Sequence, residues 1–334
     1  MLTYYFFNLA KRMEMNTFKN ICVFVILGYC FVFSINAQTE QHDAILRTLT
    51  NAKILDSASI RITYSLIFVA DSNKLNEKLI DRKILLIGNS VQHFYSYYSR
   101  FRDSVVTANS KKGGKATKLP DFPKGVCAEW YNIYNNFPSK KQTTVENISN
   151  FSMYVFNENL EDFPQWNITR DTQTILNYLC YKAICKYHGR VWEAWFTLDI
   201  PINAGPWKLH GLPGLILKAN DERQHYKFEC NGIERLKNPE PILMYEVAYK
   251  AASDPNHTGT REQYLKELNQ FYNNYVNSLL ANGCCVAITD DSGKEIEFIE
   301  TPNQRYADRN IQFSVRVNAR DRYKKIPYNP IELK

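Results

Sequence analysis

The stretch from Trp207 to Leu217 constrains the fold more than any other part of this chain. Gly211, Pro213 and Gly214 fall within four residues, and such a group breaks the direction of the chain. The apolar residues Leu215 to Leu217 follow at once, and they are stable only in a buried strand. The stretch therefore predicts a turn that leads into a core strand. It contains no recognisable nucleophile motif, metal-ligand cluster or phosphate-binding loop.

The N-terminus has the pattern of a secretory signal peptide. A lysine precedes an apolar run of thirteen residues, Ile21 to Phe33, and Ala37 is a small residue at the cleavage position. A membrane anchor needs roughly 20 apolar residues, and Tyr29 is bulkier than the residue before a lipoprotein cysteine. We therefore expect residues 1–37 to be a signal peptide with an upstream extension. Residues 38–334 are expected to form a single β-rich domain that is exported, periplasmic or secreted, with no transmembrane segment after cleavage.

Charge and cysteine usage narrow the classes of ligand. Cleavage removes three cations and one anion, which lowers the formal net charge from +7 to +5. This excess is small and spread along the chain, so nucleic acid is not an expected partner. No spacing or motif indicates a metal or a cofactor. Six cysteines remain, an even number that favours disulfides or buried thiols over a metal site and leaves the connectivity open: Cys127, Cys180, Cys185, Cys230, Cys284 and Cys285.

Period-two alternation predicts antiparallel strands. Ile60 to Phe68 alternates in this way, and Ile84 to Ile87 is a continuous apolar run typical of a buried strand. A hairpin is predicted between Ile175 and Ile200, turning at residues 187–190. One face of its second strand is apolar, namely Trp192, Ala194, Phe196, Leu198 and Ile200. A second hairpin turns at residues 220–223. Successive hairpins without intervening helices indicate a meander.

Two helices are predicted. Residues 41–55 fit a short helix. Thr260 is an N-cap with Gln263 three residues on, and apolar residues recur at helical spacing from Leu265 to Leu280 before Gly283. The predicted fold is mainly β (α+β). It is a curved antiparallel meander, of which an open half-barrel is one form, with one long amphipathic helix packed on it.

A series of motifs in residues 188–196, 199–202, 205–207 and 211–216 carries a family resemblance. Together they resemble the GLPGLI family of exported bacterial proteins, which is named after the sequence of residues 211–216. Residues 175–183 and 328–333 extend the resemblance over most of the exported chain. Phe196 departs from the tyrosine expected there. The resemblance implies an envelope or secreted protein of unestablished role, and it assigns no catalytic residue.

Three hypotheses for function follow. The first is a non-enzymatic protein that binds a hydrophobic ligand or a partner, such as an envelope lipid, a peptide or a protein, in a groove containing Trp195, Trp207 and Arg190. The second is a hydrolase in which His188 or His210 acts with Asp199 as an acid/base pair. The third gives the signature a purely structural role, with Arg190 in an internal salt bridge. The signature residues are Gly211, Leu212, Pro213, Gly214, Leu215 and Ile216.

Overall fold

The computed structural model describes residues 52–101, 104, 125–127, 131–149, 152–254, 258–281, 284–299, 313–321 and 328–332. Within them the chain forms an antiparallel sheet of eleven strands, a second sheet of three strands and a few helices. The fold is therefore mainly β, as predicted. The predicted signal peptide lies outside the described residues. No helix among the described residues is long and apolar enough to cross a bilayer.

The main sheet contains β1 (Ala52–Phe68), β2 (Leu79–Ile87), β3 (Gln92–Ser96), β4 (Asn132–Asn135), β5 (Lys141–Ser149), β6 (Ser152–Asn159), β7 (Asn167–Ile175), β8 (Tyr178–Tyr187), β9 (Arg190–Thr197), β10 (Leu215–Asp221) and β11 (Tyr226–Tyr245). After it come α1 (Glu246–Ser253), α2 (Arg261–Asn273) and α3 (Tyr275–Ala281). The second sheet contains β12 (Cys284–Thr289), β13 (Glu295–Ile299) and β14 (Phe313–Asn318), followed by a 3₁₀ turn, Ala319–Asp321.

The order of strands requires the main sheet to curve. The order is β6-β5-β4-β3-β2-β1-β11-β10-β9-β8-β7, so two meanders meet where β1 pairs with β11. The two edge strands, β6 and β7, are consecutive in sequence, and residues 160–166 can separate their ends by at most roughly 28 Å. Eleven flat strands would place these edges about 48 Å apart. The sheet therefore curls, but β6 and β7 do not pair and the barrel is not closed.

The sequence patterns explain which faces are buried. In β1, Ile62, Tyr64 and Leu66 are buried and alternate with partly exposed residues, as predicted. The β8–β9 hairpin also forms as predicted, with Trp192, Ala194 and Phe196 buried. Its apolar face is shorter than predicted, because β9 ends at Thr197 and Leu198 is 49% exposed. The helix predicted for residues 41–55 is wrong from Ala52 onwards, where β1 begins.

Apolar residues form three clusters. The largest lies on the inner face of the curved sheet and draws residues from both meanders. The second lies where α1 covers the outer face of β2 to β6. The third joins α2 and α3 to the second sheet and to Phe156 of β6. Both faces of β2 are consequently buried, which explains its continuous apolar run.

The single long helix predicted after Thr260 is wrong, because α2 and α3 are separate. The break is at Asn274, whose backbone lies outside the helical region at φ −135° and ψ 53°. Asparagine side chains compete for local hydrogen bonds, and the Asn274 side-chain oxygen accepts one from Asn277 at 2.9 Å. The two helices pack mainly on the second sheet and the β6 edge.

The N-terminal cap of α2 is confirmed. The Gln263 N–H donates to Thr260 Oγ1 at 3.2 Å, and the Thr260 N–H donates to Gln263 Oε1 at 2.9 Å. We expect Thr260→Ala to lower the free energy of unfolding by about 1 kcal/mol, because both donors lose this arrangement. Thr260→Ser retains the acceptor and should stay close to wild type. Urea unfolding followed by circular dichroism measures both, and equal stability of the two variants would contradict the assignment.

The disulfides favoured by the cysteine count do not form among the cysteines that the structure describes. Cys180, Cys185, Cys230 and Cys285 are buried free thiols. Cys180 and Cys185 occupy a regular strand and oppose Thr197 and Trp192 on β9, which alternate in facing. Burial raises the pKa of Cys185 to about 12, so this thiol is unreactive.

Candidate functional site

Residues 198–214, here called the inner loop, fill the space that the curved sheet encloses. Trp207 packs on Trp192 of β9 with ring centroids 5.4 Å apart, while the next residue, Lys208, contacts Glu158 of β6. β9 and β6 belong to opposite halves of the sheet, so the loop bridges its interior. Trp207, Leu209 and other apolar loop residues are buried in the inner cluster. The predicted turn into a core strand is therefore confirmed, and it folds inward.

Lys208 is the centre of a buried charge cluster, formed by Glu158, His188, Lys208, Arg261 and Glu332. Its ammonium lies 2.5 Å from Glu158 Oε2 and 2.6 Å from Glu332 Oε1. Arg261 Nε contacts Glu332 Oε2 at 2.6 Å and lies 3.9 Å from Glu158 Oε1. His188 Nε2 is 3.6 Å from Glu158 Oε1. Two cations therefore balance two carboxylates in the interior.

Burial and pairing set the ionisation of this cluster. Burial by itself would lower the pKa of Lys208, but the carboxylates of Glu332 and Glu158 outweigh it and raise the pKa. Burial would raise the pKa of Glu332, but Lys208, His188 and Arg261 lower it to about 2. Burial lowers the pKa of His188 to about 3, against the opposing effect of Glu332. At neutral pH the cluster therefore contains a charged lysine, charged carboxylates and a neutral histidine.

A second buried ion pair fixes the C-terminal segment, Tyr328 to Glu332. Arg190 Nη1 lies 2.7 Å from Asp221 Oδ2, and both side chains are 1% exposed. The guanidinium lies over the ring of Tyr226 at 4.8 Å. Its remaining N–H groups donate to the C-terminal segment, which thereby lies against the inner face of the sheet. The salt bridge considered for Arg190 in the structural hypothesis is present.

The three residues predicted to line a ligand groove do not share one. Arg190 and Trp207 are buried on the inner face, beside Trp192. Trp195 points to the other face of β9, where its Nε1 donates to Glu193 at 3.0 Å and Lys182 lies 5.7 Å from its ring. The enclosed cavity beside Trp207 and Glu332 is only ≈ 10 Å³, room for about one water molecule. The inner face is occupied by the chain itself.

The acid/base pairs considered for hydrolysis are not assembled. His188 precedes β9 and Asp199 follows it, so an eight-residue strand separates them by about 25 Å. His210 is buried next to Phe163, and its pKa is lowered to about 4 by burial. Asp199 is exposed, and the described contacts include none between it and either histidine. Among described residues no group of three or more His, Cys, Asp or Glu is arranged to hold a metal ion.

The sequence interpretation missed the charge cluster apart from His188. Lys208 lies within the signature stretch between two residues that are buried, Trp207 and Leu209. A lysine among large apolar residues signals either a snorkelling side chain or a buried ion pair. Glu332 likewise lies in the C-terminal motif next to Ile331. Both signals were present, but neither identifies the partner.

An open groove of ≈ 1050 Å³ lies beside β6, at one edge of the main sheet. This edge groove is lined by Met153, Tyr154 and Val155 of β6, by Val247 and other residues of α1, and by residues from Thr258 to Gln263. Val247 is 55% exposed. The sequence interpretation did not find this groove, because its walls come from segments about 100 residues apart.

The backbone of β6 faces the edge groove. The Gly259 N–H donates to the Val155 carbonyl at 2.9 Å, and Gly259 forms a parallel bridge with Phe156. Residues two apart on a strand direct their backbone groups to the same side, so the N–H and C=O of Met153 also point outward. No backbone partner for them occurs among the described residues. The edge is thus paired at one position and open beyond it.

The other edge of the sheet, β7, is protected from pairing. Its register with β8 shifts between Ile168 and Thr172, and the exposed charged residues Arg170 and Asp171 lie within the irregular part. Bulges and charges of this kind prevent edge-to-edge association. β6 is regular from Met153 to Asn159 and has apolar residues at its centre. The two edges of one sheet therefore differ in whether they can accept a further strand.

Comparisons with known proteins give a family match without a biochemical role. A family model described as a protein of unknown function (Porph_ging) matches residues 187–218, which include the β8–β9 turn, β9 and the inner loop. Among curated proteins none matches the chain.

Solved structures give distant likenesses. One of PNGF-II in space group C2 is 18% identical, covering 63% of this chain and 32% of that chain, with a TM-score of 0.38. A second, of PNGF-II in space group P21, is 17% identical over 64% and 33%, with the same TM-score of 0.38. An uncharacterised conserved protein from Thermus thermophilus is 10% identical over 66% and 98%, with a TM-score of 0.27. The chain thus spans about a third of the PNGF-II chain, and at these scores the likenesses carry no argument about fold or activity.

Proposed function

We propose that this chain is an exported, non-enzymatic binding protein that takes an extended, apolar segment of a protein partner in the edge groove. The carrying observation is the combination of an open apolar groove with outward-facing backbone groups of an unprotected edge strand. Export rests on the N-terminal signal pattern. The volume of the groove is at the upper end of the range for small-molecule sites, about 300 to 1,000 Å³, and suits a peptide.

The mode of binding follows from the strand geometry. A partner segment would continue the pairing that Gly259 begins, with main-chain hydrogen bonds to Met153 and the Val155 N–H. Alternate side chains of the segment would then meet Val247 and the neighbouring α1 surface, while the others face solvent. The interior of the sheet offers no comparable space, since the inner loop and the C-terminal segment occupy it.

A selection with short random peptides displayed on phage tests the proposal. We expect peptides with alternating apolar and polar residues to be enriched, and their binding to fall at least about tenfold in Val247→Glu, because a carboxylate would be buried without a partner. Met153→Pro should have a similar effect, since it removes an outward N–H, and proline is tolerated at edge strands. Binding is measured by fluorescence anisotropy with synthetic peptides.

Leu179→Glu is the matched control. Leu179 is 48% exposed, close to the 55% of Val247, but it lies on β8 at the other side of the sheet. This variant should bind the selected peptides as the wild type does. Peptides that bind Val247→Glu and wild type equally would refute the assignment of the groove.

A further inference from the structure

The C-terminal segment is held in the inner face like a bound ligand. The Asn329 N–H donates to the Ala70 carbonyl at 2.9 Å, and Asn329 Nδ2 donates to the Val69 carbonyl at 2.6 Å. The Tyr226 hydroxyl donates to the Asn329 carbonyl at 2.6 Å. None of these interactions is part of a β-ladder, and each joins residues more than 100 positions apart. Asn329 is therefore recognised through its backbone and its side chain together.

One guanidinium reads three consecutive residues of the segment. Arg190 Nε donates to the Ile331 carbonyl at 2.8 Å, and Nη2 donates to Asn329 Oδ1 at 3.0 Å and to the Pro330 carbonyl. Asp221 and the ring of Tyr226 fix the orientation of Arg190. Because the planar donor groups are fixed and buried, they require acceptors at defined positions. Pro330 suits the central position, since no donor is required from its nitrogen.

The end of the segment is read by charge. Glu332 pairs with Lys208 and with Arg261, each at 2.6 Å, and is 6% exposed. Ile331, 9% exposed, joins the apolar cluster of the inner face between the two polar contacts. The groups that recognise the segment all belong to parts of the chain distant in sequence. The site therefore exists independently of the covalent connection to its occupant.

We infer that this cleft is a peptide-recognition site specific for the sequence Asn-Pro-aliphatic-Glu. It accepts such a peptide in trans, from a second copy of the chain or another protein of the same local chemistry. The inference does not depend on the edge groove. In the wild type the tethered segment occupies the cleft at high effective concentration and excludes free peptide. Binding in trans is accordingly measured in a full-length chain whose own segment is weakened.

The test uses full-length Ile331→Asp and a fluorescent synthetic peptide with the sequence of residues 328–334. The aspartate disfavours burial of the chain's own segment and leaves the cleft unchanged. We expect saturable binding by anisotropy and a rise in melting temperature on addition of the peptide. A control peptide with alanine in place of the asparagine and the glutamate should bind at least about tenfold more weakly. Adding Arg190→Lys to the variant should cause a similar loss, because lysine cannot present the same fork of donors.

Equal binding of the two peptides, or no binding by folded Ile331→Asp, would overturn the inference. If Ile331→Asp does not fold, the milder full-length Asn329→Ala variant takes its place with the same two peptides. If that variant also fails, both peptides are added during its refolding. Recovery of folded protein with the native sequence alone supports the cleft, and equal recovery, or none, overturns it.

Discussion

Replacing Gly214 by alanine is expected to lower the free energy of unfolding by about 3 kcal/mol. Gly214 immediately precedes β10, where Leu215 pairs with Thr197 and donates to the Ile200 carbonyl at 3.0 Å. A Cβ atom at Gly214 would overlap the Thr197 carbonyl oxygen and lie 2.8 Å from its carbonyl carbon. Because these atoms are backbone, the overlap is relieved only by moving β9 or the inner loop.

Gly232→Ala is the matched control for this substitution. Gly232 lies in β11, and a Cβ atom there would have no neighbour within 4 Å. Its stability should stay within about 0.5 kcal/mol of wild type. Guanidinium unfolding followed by tryptophan fluorescence compares the three proteins. Gly214→Ala with wild-type stability would show that the junction of the inner loop and β10 is not tightly packed.

The sequence predicted the local features of this region and the structure supplies their reasons. One of the two signature glycines was expected to adopt a backbone angle that favours glycine, and Gly211 does so at φ +95°. Gly214 is required for a different reason, the close approach to Thr197. Single-strand patterns reveal conformational freedom in a turn, but they do not reveal which backbone will pass nearby.

Long-range pairing could not be predicted from the sequence. Alternation in β1 identified its buried face, yet nothing local indicates that β1 pairs with β11 rather than with another strand. Lys208 and Glu158 are 50 positions apart, and their ionic contact depends on the curl of the whole sheet. Hydrophobic periodicity reports which side of an element is buried. The partner is determined by topology, which is why the apolar clusters were anticipated better than the charge cluster.

Replacing Lys208 by methionine is expected to lower the free energy of unfolding at pH 7 by about 3 to 5 kcal/mol. The substitution leaves Glu158 and Glu332 with Arg261 as the nearest cation, so one buried carboxylate loses its compensation. Lys182→Met is the matched control. Lys182 pairs with Glu193 at 2.9 Å but is 21% exposed, whereas Lys208 is 0% exposed. Removing that partly solvated pair should cost at most about 1 kcal/mol.

The pH dependence distinguishes loss of charge compensation from simple loss of packing. In the wild type the pKa of Glu332 is about 2, below its ordinary value of 4.5, so its stabilising contribution is present above pH 4.5 and lost as the pH falls towards 2. Without Lys208, burial raises this pKa, and protonation then stabilises the folded state. The difference in stability between wild type and Lys208→Met should therefore narrow between pH 6 and pH 3. Adding Glu332→Gln to Lys208→Met should recover part of the loss at neutral pH, since the uncompensated charge is removed. A constant difference across this pH range, together with strictly additive effects, would mean that Lys208 stabilises the inner loop through packing alone.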